Sequence, residues 1–264
     1  MLLVDTHVHF YQESRNKKIL AQILKRMITL TPEQYHGEPI YALCIVERSG
    51  NRDWEGIMPF TDCHEPSLRS FTLEEFLPKL WLIQGFQTAT SERLEVLSLG
   101  SSKPPPENLP LLDTLQAVNE NSGIPVIPWS FGKWMFKRKK IIIQALQENP
   151  FVILGDIPTR PITKITTKNN KGETQVLPSL LNLPQTHRVL LGSDPLPLAG
   201  ESQRIGSSCS VLEHNSKQCS LNSLCHSLRE GALIKQIGYQ HSYSKTLGNL
   251  IRLKLTTHHG RRKS

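Results

Sequence analysis

The first ten residues hold the densest chemistry in the chain: the apolar run Leu2-Leu3-Val4 leads into Asp5-Thr6-His7-Val8-His9. Side chains of an extended strand alternate between its two faces, so Asp5, His7 and His9 are expected to share one face and to close on a single metal ion. Two imidazoles with one or two carboxylates suit Zn, Mn or Fe(II) and leave a position open for water. Such an ion lowers the pKa of bound water towards ~7 and polarises a phosphoryl or carbonyl oxygen. Metal-assisted hydrolysis is the chemistry these residues point to.

Short apolar runs alternate with longer stretches of helical periodicity, the pattern of a parallel sheet with crossover helices. Strands are expected over Leu2–Asp5, Ile40–Val46, Leu80–Phe86, Leu94–Leu99, Ile124–Ile127, Phe151–Leu154 and Arg188–Leu191. Helices are expected over Lys17–Leu30, Leu109–Asn121, Lys133–Asn149, Leu177–Leu183, Leu221–Glu230 and Lys245–Leu255. Leu111, Leu112, Leu115 and Val118 recur at helical spacing, Gly123 follows as a C-terminal cap, and Pro150 ends the next helix. The Pro-, Thr-, Lys- and Asn-rich segments 101–106 and 157–173 read as exposed loops. The class is α/β and the architecture a (β/α) barrel. Residues 1–255 are expected to form one domain, with 256–264 as a disordered basic tail.

In such a barrel the C-terminal strand ends converge on one rim, where the chemistry sits. Glu47 and Arg48 follow the second run, Gln87 the third, and Glu92 and Glu95 stand at the start of the fourth. Trp129, Lys133 and Trp134 follow the fifth, Asp156 and Arg160 the sixth, and Ser193-Asp194 the last. Singly, each has a plainer reading: His-x-His arises by chance, Gly-Ser-Asp can cap a helix, Glu47-Arg48 can be a surface ion pair. One barrel register that gathers them all is what argues for a site. Trp129 and Trp134 are either an aromatic wall or rim packing. The segment 200–206 with Arg204 is either a lid or phosphate loop, or a surface loop with an Arg–Glu pair.

These motifs resemble those of the polymerase and histidinol phosphatase (PHP) superfamily of metal-dependent phosphoesterases, and more loosely those of amidohydrolase-type barrels. Asp5-Thr6-His7-Val8-His9 is similar to the family's first motif, in which both histidines bind metal. Residues 41–48 resemble the second, with Glu47-Arg48 where an Asp-His pair is usual. Residues 84–87 resemble the third, with Gln87 in place of a bridging glutamate. Val126-Ile127-Pro128-Trp129 stands where a strand ends in a metal-binding His, and Gly192-Ser193-Asp194 resembles the last motif, with Leu196 in place of its His. The resemblance spans roughly residues 1–200 and implies a TIM-like barrel or the distorted seven-stranded PHP type. It implies His7, His9 and Asp194 as ligands of one divalent ion, Zn, Mn or Fe, with Glu47 as a replacement carboxylate. Asp156 or Glu95 would serve as general base. Arg48, Lys133, Arg160 and Arg204 would face a phosphate, whose oxygens match guanidinium forks, beside Gln87 and Trp129.

The 264 residues carry a formal charge of +8, much of it in Lys137-Arg138-Lys139-Lys140 and the tail Arg261-Arg262-Lys263. That excess suits an anionic or phosphorylated small substrate, and nucleic acid more weakly. Five cysteines with no CxxC pair read as free thiols of a reducing cytoplasm. No apolar run approaches the ~18 residues of a membrane span and no basic-then-apolar leader opens the chain, so a cytoplasmic, non-membrane protein is expected. The leading reading is a metal-dependent phosphoesterase. The alternatives are a catalytically degenerate barrel that binds an anion, and a nucleic-acid-associated protein using the basic helix and tail.

Overall fold

The apolar runs become strands, in a computed structural model that describes residues 1–12, 15–33, 35, 37–75, 77–130, 133–134, 136–158, 167–168, 174–175, 187–216 and 218–238. The order is β1 (Leu2–Val8), α1 (Lys17–Thr29), β2 (Ile40–Arg48), α2 (Asp53–Ile57), β3 (Asp62–Glu65), β4 (Leu68–Phe71), β5 (Leu80–Ala89), β6 (Glu95–Leu99), α3 (Leu111–Glu120), β7 (Ile124–Pro128), α4 (Lys137–Glu148), β8 (Ile153–Asp156), β9 (Thr167–Lys168), β10 (Thr174–Gln175), β11 (Val189–Leu191), β12 (Cys209–Leu212), α5 (Leu221–Glu230) and β13 (Leu233–Ile237).

The principal sheet runs β11-β8-β7-β6-β5-β2-β1 and continues through β12 to β13. Six of the first seven strands are mutually parallel, while β6 is antiparallel to both its neighbours. The sheet curls until β11 approaches β1, making a nearly closed, distorted barrel. At this seam the bonds are irregular: Thr6 Oγ1 donates to Leu191 O (2.9 Å), Ser193 N to Asp5 Oδ1 (2.8 Å) and Asp194 N to His7 O (2.8 Å). Leu191 N turns aside to Ser210 Oγ (2.8 Å) on β12.

Strand alternation sorts the apolar residues into layers. Leu2, Val4, Ala42, Cys44, Val46, Ile83, Leu97, Leu99, Val126, Ile153 and Leu190 fill the barrel interior, closed off by Leu224, Cys225 and Leu228 of α5. Leu3, Leu43, Ile45 and Leu82 face outward onto Leu20, Ile23, Leu24 and Met27 of α1. Val96, Ile127 and Leu154 pack on α3 and α4.

Several elements differ from the sequence expectation. The fourth strand is antiparallel, because the link from β5 to β6 is a tight turn with Arg93 at φ 62° and leaves no room for a crossover helix. The hairpin β3–β4 and the pair β12–β13 were not expected: β3 and β13 are mostly exposed edge strands with little apolar pattern. Helix α4 starts at Lys137, since Phe136 at φ 57° breaks the helical path and Trp134 Nε1 is turned back to Pro128 O (3.1 Å). α5 spans the expected residues, with a Ser220/Ser223 capping box at its start. The helices expected at 177–183 and 245–255, and the tail 256–264, lie outside the described residues. Among the described residues no helix is long and apolar enough to cross a membrane.

Candidate metal centre

β1 reaches the rim with its alternation broken. Its register against β2 shifts between Asp5, opposite Leu43, and Val8, opposite Ile45, so three steps along β1 match two along β2. That bulge corrects the expectation that Asp5, His7 and His9 share a face. Val8 stays with the outer layer, His7 and His9 turn to the rim, and the Asp5 carboxylate is left on the other side. There it accepts from Ser193 N (2.8 Å) and Gly206 N (2.8 Å), with His7 N at 3.3 Å. Fully buried, Asp5 has its pKa pushed up to about 6 by desolvation, against the pull of these hydrogen bonds.

His7 and His9 meet Asp194 across the seam. The three donors are His7 Nε2, His9 Nε2 and Asp194 Oδ1, with separations of 3.2 Å between the imidazoles and 3.5 and 3.8 Å to the carboxylate. A circle through three atoms so spaced has a radius of about 2.0 Å, which matches the Zn–N and Zn–O bond lengths of about 2.0–2.2 Å. Asp194 Oδ1 is buried and accepts no hydrogen bond among the described residues, as befits an oxygen aimed at a cation. Desolvation, then the neighbouring His7 and Arg48, holds His9 well below the ordinary histidine pKa, so its lone pair stays available. The donor set therefore fits one divalent ion, whose identity it leaves open among N/O-binding metals. Gln87 Oε1, 3.2 Å from His7 Nε2, adds a neutral oxygen beside the trio.

The surroundings fix these donors. Asp194 sits at φ 39°, a left-handed conformation that Asp tolerates better than most residues, and its amide is anchored on His7 O. Gly192 has no room for a side chain: a Cβ there would lie 2.3 Å from His7 Cβ. Arg204 bonds Glu201 (2.6 Å) and Ser193 O (3.3 Å), while Glu201 also accepts from Leu196 N (3.2 Å). Segment 201–204 thus clamps the Asp194 loop, in keeping with the Arg–Glu alternative. Tyr11 lies beside His9 and donates to Pro195 O (3.3 Å).

The other residues singled out in the sequence divide by strand face. Glu47 takes the outer face of β2, where Oε1 accepts from Trp54 N (2.9 Å) in the first turn of α2, and it stands apart from the trio. Asp156 shares the helix-facing side of β8 with Leu154 and accepts from Ile157 N (2.9 Å). Glu95 is on the inner face and pairs with Lys133 Nζ (2.7 Å); burial raises its pKa, but Lys133, Arg48 and His7 outweigh that and leave it below the ordinary value. Trp129 and Trp134 are buried in the apolar cluster against α3 and α4, the rim-packing alternative. Arg48 and Gln87 line a cleft of about 470 Å³ with Ser49, Asn51, Phe86 and Thr88. Arg160 lies outside the described residues.

The sequence matches no protein-family model and no curated protein. The fold does have counterparts among solved structures. PsfC from Pseudomonas syringae PB-5123 superposes with a TM-score of 0.54 at 16% identity, over 96% of this chain and 98% of that one. The lesion-specific endonuclease PfuEndoQ from Pyrococcus furiosus gives a TM-score of 0.53 at 12% identity, over 89% of this chain and 58% of its own. Endonuclease Q in complex with a 27-mer duplex substrate gives 0.56 at 11% identity, over 90% of this chain and 60% of that chain. With the His–His–Asp trio, this likeness is consistent with the divergent PHP-like resemblance of the sequence.

Proposed function

We propose that the chain is a metal-dependent hydrolase of phosphoesters that holds one Zn, Mn or Fe(II) ion through His7, His9 and Asp194. The observation that carries the reading is the donor triangle, whose size suits a first-row divalent ion and whose carboxylate oxygen has no other partner among the described residues. When bound, the ion supplies Lewis acidity towards a phosphoryl oxygen and an acidified water. His9 keeps its ring neutral for that ligation, and Asp5 positions β1 against the Asp194 loop. Of the two carboxylates considered as proton acceptors, Glu95 is favoured, because it lies on the inner face and is held ionised beside Lys133. Endonuclease Q carries a duplex substrate with an abasic lesion at its active site, which supports phosphoester chemistry as the class. The reading here is a small anionic phosphoester in a cytoplasmic setting.

The test is metal analysis of the purified protein with hydrolysis of p-nitrophenyl phosphate and bis(p-nitrophenyl) phosphate in Zn, Mn or Fe(II). Close to one equivalent of metal and turnover of at least one ester are expected, and His7→Ala should abolish both. A folded protein that takes up no metal and is indifferent to chelator sinks the proposal. Metal uptake without turnover of either ester would instead favour the degenerate, anion-binding barrel.

A further inference from the structure

We infer that Arg48 is the second positive centre of the site, gripping the phosphoryl group of the substrate from the cleft beside the ion. The inference rests on the phosphoester reading and names the group that recognises the substrate.

Alternation along β2 puts Ala42, Cys44 and Val46 inside the barrel, and Arg48 continues that face at the rim. Its Cα partner on β5 is Gln87, the residue whose amide oxygen touches His7. Arg48 therefore stands one side chain away from the trio. Among the other rim cations considered, Lys133 is engaged by Glu95 and Arg204 by Glu201, and Arg160 lies outside the described residues. Arg48 makes no ion pair among the described residues, and its Nε is buried with no hydrogen-bond partner. Its charge bears on His9, Tyr11 and Glu95, three groups around the trio. Arg48 is half-buried, and withdrawing its Nε from water without a partner carries a cost that is recovered when an anion arrives. A guanidinium offers two parallel N–H donors to two phosphate oxygens, which a point charge cannot do.

Gln87 completes the argument. A glutamate there would be a carboxylate directly across from Arg48 and would neutralise it; the amide leaves the cation free. The two departures from the family pattern at 48 and 87, remote in sequence, are thus cross-strand neighbours. Together they set a fixed protein charge beside the donor trio. The cleft they share, about 470 Å³ and also lined by Ser49, Asn51, Glu47 and Glu107, has room for a phosphate with an organic group attached.

The experiment is calorimetric titration of inorganic phosphate into the metal-loaded wild type, Arg48→Met, Arg48→Lys and Gln87→Glu, with metal content measured on each. Arg48→Met should keep its metal and lose phosphate affinity about tenfold to a hundredfold, the range for a hydrogen-bonded charge. Arg48→Lys should recover part of it. Gln87→Glu should hold metal as well as the wild type and weaken phosphate nearly as much as Arg48→Met. Phosphate binding unchanged in Arg48→Met and Gln87→Glu overturns the inference, as does its absence from the wild type. Loss of metal in both would make Arg48 a support of the trio and overturns it too. A wild type that takes up no metal but binds phosphate through Arg48 would sink the hydrolase proposal and leave this inference standing. If Arg48→Met does not fold, Gln87→Glu decides.

Discussion

Replacing Gly192 by alanine tests how tightly the trio depends on the approach of β11 to β1. The added methyl would stand 2.3 Å from His7 Cβ, 2.6 Å from its amide nitrogen and 2.9 Å from its Cα. Non-bonded carbons settle at about 3.5–4.0 Å, so the two segments must part by about 1 Å, and backbone atoms cannot rotate out of the way as a side-chain tip would. Asp194 lies two residues beyond Gly192, while His7 and His9 stay with β1, so the separation opens the ligand triangle itself. Metal–ligand distances tolerate about 0.2 Å. Metal affinity should fall at least 10- to 100-fold, the loss typical of disturbed supporting contacts. Overpacking should also cost about 1–3 kcal/mol of stability. At about 2–4 °C per kcal/mol for a domain of this size, Tm should fall by roughly 2–12 °C. Competition with a chromophoric chelator reads the first effect, and thermal melts with and without metal read the second. A Gly192→Ala protein with wild-type affinity and wild-type Tm would show that this contact does not set the site.

Asp5→Ala removes the acceptor of two close backbone N–H groups and one longer one, leaving buried donors unpaired; a loss of about 3 kcal/mol or more is expected in urea unfolding. Cys63 is exposed, whereas burial pushes the Cys44 and Cys209 thiols well up. Iodoacetamide followed by peptide mapping should therefore label Cys63 in the native protein and reach Cys44 and Cys209 only after unfolding. His9 has its folded pKa depressed, so its contribution to stability is present above about 6.5 and is lost as pH falls through the lower folded value. Asp5, with its pKa raised to about 6, acts in the opposite sense over the same range, so the His9 contribution is read by comparison: in metal-free protein, the urea midpoint of His9→Phe should rise relative to that of the wild type on going from pH 7 to pH 5.

The interior of the barrel is written in short runs such as Tyr41–Val46 and Ile124–Ile127, where both faces are buried and apolar identity alone marks the strand. Direction is not written there. Nothing in Glu95–Leu99 distinguishes a strand that returns at once from one reached by a crossover, and that is decided by the turn before it. The candidate donors at residues 7, 9 and 194 could be singled out because two imidazoles in three residues and a Ser-Asp after the last strand are chemically unusual. The place of Asp5 could not, because one extra residue in a strand leaves no mark on composition yet reverses every later side chain. Glu47 and Arg48 show the same limit: adjacent residues at a strand end serve opposite faces, and the one that looks like a ligand caps a helix. That Arg48 and Gln87 are neighbours follows only from the β2–β5 register.

The irregular seam has a mechanical consequence. His7 and His9 stand at the end of β1 and Asp194 in the loop after β11, on either side of the seam, so an ion bound by all three ties the first strand of the chain to the loop after β11. It acts as a cross-link between residues 9 and 194, closing a ring that takes in most of the barrel strands. Such a clasp restricts the unfolded chain as a long-range disulfide would, in addition to its local bonds. Filling the site should slow amide hydrogen exchange most at Leu191, Ser193 and Asp194 and less in β5 or β6. The same three donors that would hold the ion would then report whether the barrel is shut.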